Sequence, residues 1–375
     1  RERAKGICTV KITIVMGFFL PLPPVAGGAI EKSWYRLAQN MAQRGHEVTL
    51  ISRRWEDWPH KEIREGVNHI RIKGYDHKSR LWLNLICDFI WSWRVFFCLP
   101  RADVVALNTI SLGCWLGILK PRAGRVVAML GRMPKGQFRI YPSPARIFVP
   151  SAPVRIAVIK ERPRFAALVK SIGYPIDKQS LSRTTHRNAE MVTLTYIGRI
   201  HLEKGIDLLI QASRLLADMK LPKWRVIVCG PADISRGGSG PNYLRKLIKE
   251  APPQVDFIDP IFDESSLQEL YQKSDIFCYP SLADQGETFG VSVAEAMAAG
   301  AVPVVSQLAC FKDFLTPDET GLSFNAHAPN ADMEFARKLA SLIRDSGLRQ
   351  QLGKNAQAAV QRFDFDTFTD DLITF

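Results

Sequence analysis

The sequence predicts an α/β protein built from two Rossmann-like domains, and three observations carry that prediction. Short apolar runs alternate with longer helical patterns along the whole chain, the pattern of βαβ units wound on parallel sheets. The pattern restarts near Met191 without repeating the sequence of the first half, which points to two similar domains and not to a solenoid. Charge also changes sign near the middle: residues 1–185 hold 31 Lys and Arg against 12 Asp and Glu, a net of +19, while residues 186–375 hold 19 against 25, a net of −6. A length of 375 residues suits two such domains. The expected domains are residues 1–180 and 181–375, with a polar linker lacking hydrophobic periodicity within residues 173–188.

In the first half, Lys11–Met16 reads as a buried strand, followed by a Pro- and Gly-containing loop over residues 17–28. A helix from about Ala29 to Arg44 follows, ended by Gly45 as its C-cap, and His46–Ser52 reads as the second strand. Further strands are expected at His69–Lys73, Asp103–Leu107, Arg125–Leu130 and Arg146–Val149. The most apolar stretch is Leu81–Leu99, LWLNLICDFIWSWRVFFCL. It is long enough to span a bilayer, but Asp88 and Arg94 inside it would each be costly at membrane depth. It reads as a core helix beside a sheet. A second reading, partial insertion of an aromatic face into a membrane interface, is compatible with the first if only one face is exposed.

In the second half, strands are expected at Met191–Ile197, Trp224–Cys229, Val255–Ile258, Asp275–Tyr279 and Val302–Val305. Helices are expected at Lys204–Met219, Asn242–Glu250, Asp263–Lys273, Phe289–Ala299, Asp332–Asp345 and Leu348–Phe363, with a flexible loop over Gly237–Gly240.

A hydrophobic content of 46% with 23% charged residues excludes a disordered or fibrous chain. The seven cysteines are scattered without a C-x-x-C pair, which argues for reduced thiols in a cytoplasmic protein and against a disulfide framework or a zinc site. The basic first half points to an anionic partner: a membrane surface, a phosphorylated lipid or an acidic glycan. No nucleic-acid motif is present, so nucleic acid is not an expected partner. The start at Arg1 and the abrupt end at Phe375 read as a trimmed chain or a fragment, and no signal peptide is visible.

Three segments carry chemistry. The first is Glu287-Thr-Phe-Gly-Val-Ser-Val-Ala-Glu295-Ala-Met-Ala-Ala-Gly300. Glu287 ends a loop after an expected strand, and Glu295 sits in the middle of the helix that follows. The first amides of that helix, around Phe289, Gly290 and Val291, carry the positive end of its dipole and suit a diphosphate. A carboxylate on the helix can accept paired hydrogen bonds from ribose hydroxyls, and one in the loop can do the same for a sugar. The second segment is Tyr196-Ile-Gly198-Arg199-Ile-His-Leu-Glu203-Lys204-Gly205. Here a strand ends in glycine, and Arg199 and Lys204 follow at the carboxyl end of the sheet, where ligands of doubly wound folds bind. Breaking a sugar–phosphate bond leaves negative charge that these two cations could neutralise without a metal. The third is Gly27-Gly28, at the mouth of the first helix, where the backbone can approach a ligand closely. No G-x-G-x-x-G follows the first strand, which counts against a nicotinamide or flavin enzyme.

The segments GRIHLEKG and ETFGVSVAEAMAAG resemble the two signature stretches of the family 4 (group 1) retaining glycosyltransferases of GT-B fold, and the order of elements is similar over nearly the whole chain. That resemblance implies two Rossmann-like domains facing a cleft, with the acceptor mainly on the first and a nucleotide diphosphate sugar mainly on the second. It implies that Glu295 binds ribose, that Arg199 and Lys204 bind the diphosphate, and that Glu287 holds the transferred sugar beside the Phe289-Gly290-Val291 amides. Asp256–Ile261, with Ile258, falls where the family cradles the nucleobase, although Asp259 stands where glycine is common. Gly27, Gly28 and Gly198 fall on the donor-binding loops. One departure is the absence of the histidine that many members carry after the fifth strand; here the segment contains Arg132, Lys135 and Gln137, which read as acceptor or phosphate ligands or as a purely structural loop. The expected function is metal-independent transfer of a sugar to a glycan or lipid-linked acceptor, with peripheral contact at the inner face of an anionic membrane. A non-catalytic binding module, or an epimerase or phosphorylase on the same scaffold, remain the alternatives.

Overall fold

A computed structural model of the chain describes residues 9–25, 29–76, 78, 80–142, 144–181 and 190–374. The chain divides into two compact units, Arg1–Pro175 together with Phe365–Phe375, and Ile176–Asp364. The division after Pro175 lies five residues before the expected boundary, and the last eleven residues belong to the first unit where the sequence assigned them to the second.

In the first unit the elements run β1 (Lys11–Val15), α1 (Ala29–Gln43), β2 (Glu47–Arg53), β3 (Lys61–Arg64), β4 (Val67–Ile72), α2 (Leu81–Cys98), β5 (Val104–Leu107), α3 (Leu112–Leu119), β6 (Arg125–Met129), β7 (Arg146–Val149), α4 (Ala152–Glu161) and β8 (Val169–Ser171). Their sheet order is β3-β4-β2-β1-β5-β6-β7-β8, with β3 antiparallel to β4 and the other pairs parallel. Parallel strands are buried on both faces, and this is why β5 reads as an unbroken apolar run and β1 is buried throughout after Lys11. Gly45, at φ +86°, ends α1 as the sequence predicts.

In the second unit, α5 (Lys178–Leu181) leads into β9 (Val192–Ile197), α6 (Ile206–Ala217), β10 (Trp224–Cys229), α7 (Pro241–Glu250), β11 (Val255–Ile258), α8 (Glu264–Lys273), β12 (Ile276–Tyr279), α9 (Val291–Ala298), β13 (Val302–Ser306), β14 (Leu322–Phe324), α10 (Ala331–Arg344) and α11 (Ser346–Ala359). Every strand pair here is parallel, in the order β11-β10-β9-β12-β13-β14. Counted from the first strand of the unit, this is the doubly wound order 3-2-1-4-5-6. Strand order reverses between β9 and β12, the switch point at whose carboxyl edge ligands of doubly wound sheets bind.

The chain then returns to the first unit as α12 (Phe365–Ile373). Phe368 and Leu372 enter the core that Trp34, Leu37 and Met41 of α1 form over β1, β2 and β5. The Phe368 ring meets the Trp34 ring edge-on at 5.9 Å, and Arg44 pairs with Asp370 at 2.5 Å.

Helix α2 packs one side on the sheet, as expected, with Trp91 and Val95 fully buried. Among the described residues, no helix is long and apolar enough to cross a membrane.

Candidate active site

The site in the second unit begins with the turn after β9. Gly198 follows the last residue of the strand, and a side chain there would crowd the Tyr196 hydroxyl, 3.1 Å from an added Cβ. Residues Leu202–Lys204 form a single 3-10 turn, so Lys204 precedes α6 and does not open it as the sequence suggested. Gly205 then sets the start of α6 at φ +66°. A Cβ at Gly205 would lie 2.0 Å from the Pro280 carbonyl oxygen, so the β9 loop and the β12 loop touch backbone to backbone at this glycine. The Leu282 amide donates to the Glu203 carbonyl at 2.8 Å and reinforces that contact.

This contact brings Lys204 and Glu287 together. Lys204 Nζ donates to Glu287 Oε2 at 2.6 Å, with side chains only 8% and 12% exposed. The Tyr279 hydroxyl, at the end of β12, accepts from Lys204 Nζ at 3.1 Å and donates to the same Glu287 oxygen at 3.0 Å. A buried ammonium and carboxylate are tolerated only when paired and hydrogen-bonded, and this closed triangle meets that condition. Burial, with the Glu287 charge second, holds the Tyr279 hydroxyl well above its ordinary range, so it stays a neutral donor.

Arg199 lies on the same loop and is 44% exposed at its side chain. Its Nη1 donates to the Gly237 carbonyl at 2.8 Å and its Nη2 to Glu203 Oε1 at 3.0 Å. The glycine-rich loop after β10 is therefore a brace for Arg199. It is tied back a second time where the Ser239 hydroxyl accepts from the Leu202 amide at 3.0 Å.

Gly290 caps α9 in the left-handed region at φ +87°, and Val291 is the first helical residue. The Phe289 side chain is core, ringed by Phe314 and Phe363 at 5.1 Å each, so only its backbone can serve a ligand. Glu295 lies on the fifth residue of α9 and accepts from the Tyr271 hydroxyl at 2.8 Å. Tyr271, Phe277, Tyr279 and Tyr196 follow one another with ring centroids 6.0, 6.1 and 6.0 Å apart, a row of aromatics linking the partner of Glu295 to the partner of Glu287. Ile258 ends β11 and is 37% exposed, an apolar surface at the carboxyl edge of the sheet.

Gly27 and Gly28 lie outside the described residues. Arg132 and Lys135 are exposed in the loop after β6. Gln137 accepts from the Lys135 amide at 2.6 Å, and Glu161 accepts from the Gly136 amide at 2.6 Å, so the Gln137 side chain is engaged in shaping this loop. Glu31 of α1 has its carboxyl raised by burial, partly offset by the nearby Arg132 charge. A narrow hollow of about 10 Å³ lies at the carboxyl edge of the first unit's sheet, among Trp34, Asn108, Gly131 and Tyr174.

Sequence reasoning missed Tyr279, Glu203, Gly237 and Tyr271. The signal for Tyr279 was present: a polar-tipped aromatic as the last residue of a wholly buried strand, at the edge where ligands bind.

Two doubly wound parallel-sheet units define the GT-B architecture of glycosyltransferases, and solved structures of that class superimpose on the whole chain. The Anabaena HepE protein in complex with UDP and glucose matches with a TM-score of 0.72 at 18% identity, over 97% of this chain and 98% of that one. Sucrose-phosphate synthase from Thermosynechococcus elongatus matches with a TM-score of 0.75 at 19% identity, over 96% of each chain. Residues 177–359 match the model of the glycosyl transferases group 1. A D-inositol 3-phosphate glycosyltransferase of Xylanimonas cellulosilytica is 28% identical over 202 residues, 51% of this chain and 45% of that protein. A phosphatidyl-myo-inositol mannosyltransferase of Mycobacterium tuberculosis is 24% identical over 183 residues, 48% of this chain and 46% of that protein. These matches span about half the length of the curated relatives.

Proposed function

We propose that the protein is a retaining hexosyltransferase that moves a sugar from a nucleotide diphosphate donor to a glycan or lipid-linked acceptor without a metal ion. The observation that carries this reading is the Lys204–Glu287–Tyr279 triangle at the reversal point of the second sheet, on the loop that also bears Arg199. Two of the three ammonium donors of Lys204 hold Glu287 and Tyr279, leaving one for a phosphate oxygen. Glu287 has a second carboxylate oxygen for the hydroxyls of the transferred sugar, and Glu295, on α9, is the carboxylate proposed to meet ribose.

In the proposed step the bond between the anomeric carbon and the β-phosphate oxygen breaks, and the acceptor oxygen bonds to that carbon on the same face. The acceptor proton passes to the departing phosphate oxygen. Arg199, Lys204 and the amides at the start of α9 balance the charge that grows on the diphosphate, a fixed electrostatic arrangement that favours the transition state. HepE was solved with UDP and glucose, which supports a nucleotide-sugar donor. Relatives named for inositol phosphate and phosphatidyl-myo-inositol, together with the basic first half, favour an anionic acceptor at a membrane surface.

Lys204→Ala and Glu287→Ala are each expected to lower kcat by at least about a hundredfold, the usual cost of losing a preorganised transition-state contact. Nucleoside diphosphate release and the anomeric configuration of the product are the measurements, with thermal unfolding as the check on folding. Unchanged transfer in both variants rejects the assignment. Donor conversion without acceptor would indicate an epimerase, a requirement for free phosphate a phosphorylase, and binding without release a non-catalytic module.

A further inference from the structure

Helix α2 is apolar around almost its whole circumference, and the sheet covers only one side of it. On the covered side Trp91 donates from Nε1 to the Met16 carbonyl at 3.1 Å, and the buried Asp88 carboxylate accepts from the Ser111 amide at 2.8 Å. These bonds fix the rotation of the helix about its axis. The other side then presents Trp82, Leu85, Ile86, Phe89 and Phe97 to solvent, at the three- and four-residue spacing of a single stripe, with Phe97 78% exposed. Helix α3 extends the stripe sideways: Trp115 stacks on Trp93 at 5.5 Å and meets Phe89 at 5.2 Å, and Ile118 and Leu119 are exposed beyond it. Two helices thus share one continuous aromatic face, whereas the exposed side of a helix in a soluble domain is ordinarily polar.

Neither helix exposes a carboxylate. Asp88 is the only carboxylate on α2 or α3, and it is buried. Lys78 and Arg80 are exposed at the start of α2. At its other end Lys120 donates to the Phe96 and Leu99 carbonyls, and Arg101 and Arg122 are exposed nearby in sequence. A second copy docking here by a twofold axis would set cations against cations at either end, whichever way the helices ran.

We propose that the α2–α3 face seats the first unit on an anionic lipid bilayer, lying in the interface with its aromatic stripe among the acyl-chain ends and its cations at headgroup level. The chemistry is that of an interfacial helix: an apolar stripe containing tryptophan, basic residues at both ends and no exposed carboxylate on either helix. Asp88 and its bond to Ser111 hold the other side of the helix in the fold, so the helix docks without inserting across the bilayer. The proposal rests on the reading above that the acceptor lies at a membrane, and it names the surface that would bring the protein there.

The experiment is co-sedimentation of the full chain with vesicles, with no sugar donor present, so that failure to bind and failure to transfer sugar are separate results. Binding is expected to vesicles of equal phosphatidylglycerol and phosphatidylcholine, at least tenfold weaker to phosphatidylcholine alone, and weakened by salt. The triple variant Leu85→Gln, Ile86→Gln, Phe97→Gln is expected to lose at least tenfold in binding. The pair Lys78→Glu, Arg80→Glu should lose binding to the anionic vesicles selectively. Ile156→Gln, exposed on α4, should change nothing. Because the triple variant could misfold, quenching of tryptophan fluorescence by brominated lipid in the parent protein, reduced in Trp82→Phe, serves as a second readout. Parent protein that ignores anionic vesicles, a triple variant that binds as the parent does, or self-association abolished by the same triple substitution would each overturn the proposal.

Discussion

Tyr279 shows how one side chain can decide the state of two others. Its hydroxyl bonds both members of the Lys204–Glu287 pair, while its ring is fixed between Tyr196 and Phe277. Tyr279→Phe keeps the ring packing and the direct ion pair but removes the bridge. Under the proposed mechanism it is expected to lower kcat about tenfold, the effect of about one lost hydrogen bond, with little change in KM or thermal stability. Steady-state kinetics beside a melting curve checks this, and an unchanged kcat would reduce Tyr279 to packing. His69 makes a different prediction. Burial, with the Arg71 charge second, lowers its pKa from 6.5 to about 4, and the ring is held neutral against Tyr35. A group whose folded pKa is depressed gives stability that is complete above its unfolded pKa and declines as pH falls toward the folded one. The first unit should therefore lose on the order of 2–3 kcal/mol between about pH 6.5 and 4 through this residue, and His69→Leu should flatten that part of the profile in denaturant melts taken across the range. Arg199, Lys204 and Glu287 were legible in the sequence because chemistry demands charged groups beside glycine at strand ends. Tyr196 was not, since an aromatic inside a buried strand looks like core until its hydroxyl is placed, whereas Tyr279 ends its strand at the ligand-binding edge.

At the scale of elements, the site depends on two loops meeting where one glycine lets them. Gly205→Ala would force an alanine into the left-handed region and press its Cβ on the Pro280 carbonyl. A loss of at least about 2 kcal/mol is expected in the second unit, with a larger fall in turnover than in nucleotide affinity, because Lys204 and Glu287 are carried by the loops that separate. Calorimetry with and without UDP measures the first quantity and kinetics the second; an unperturbed melting point would show that the loops yield cheaply. The long parallel strands and most of the expected helices were readable to within a residue or two, because burial on both faces or on one stripe imposes their pattern, but α11 ends four residues before the expected Phe363, and α3, α4 and α12 were not expected. Elements that do not impose a pattern escaped. β8 and β14 have three residues each, too few to show a period. β3 is an edge strand of KEIR, whose exposed side chains mimic a loop. The helix expected from Lys204 begins at Ile206, because a 3-10 turn and a left-handed glycine intervene, and neither interrupts the helical spacing of the apolar residues.

At the scale of the whole chain, the sequence located a change of domain from its charge and its restarted pattern, but neither the last helix nor its return to the first unit was read from it. An amphipathic helix specifies an apolar stripe and not which of two cores the stripe will cover. The return is decided by fit: Phe368 fills the space beside Trp34, Leu372 lies in the same core, and Asp370 and Asp371 find Arg44 and Lys170 on the first unit. A chain ending at Asp364 would uncover that core. Losing one buried Phe and one buried Leu costs roughly 5 kcal/mol or more, taking truncation to alanine as the guide, against a typical domain stability of about 5–15 kcal/mol. The first unit of the shortened chain is therefore expected to melt far below that of the full chain or to be unfolded at room temperature. The second unit keeps its own sheet, the Lys204–Glu287 pair and the α5 contact of Lys178 with Asp364, so its transition should stay in place and still rise when UDP is added. Scanning calorimetry of the two chains separates the cases. A single transition lowered as a whole would mean that the units unfold together, and two unmoved transitions would mean that α12 is dispensable to the core it enters.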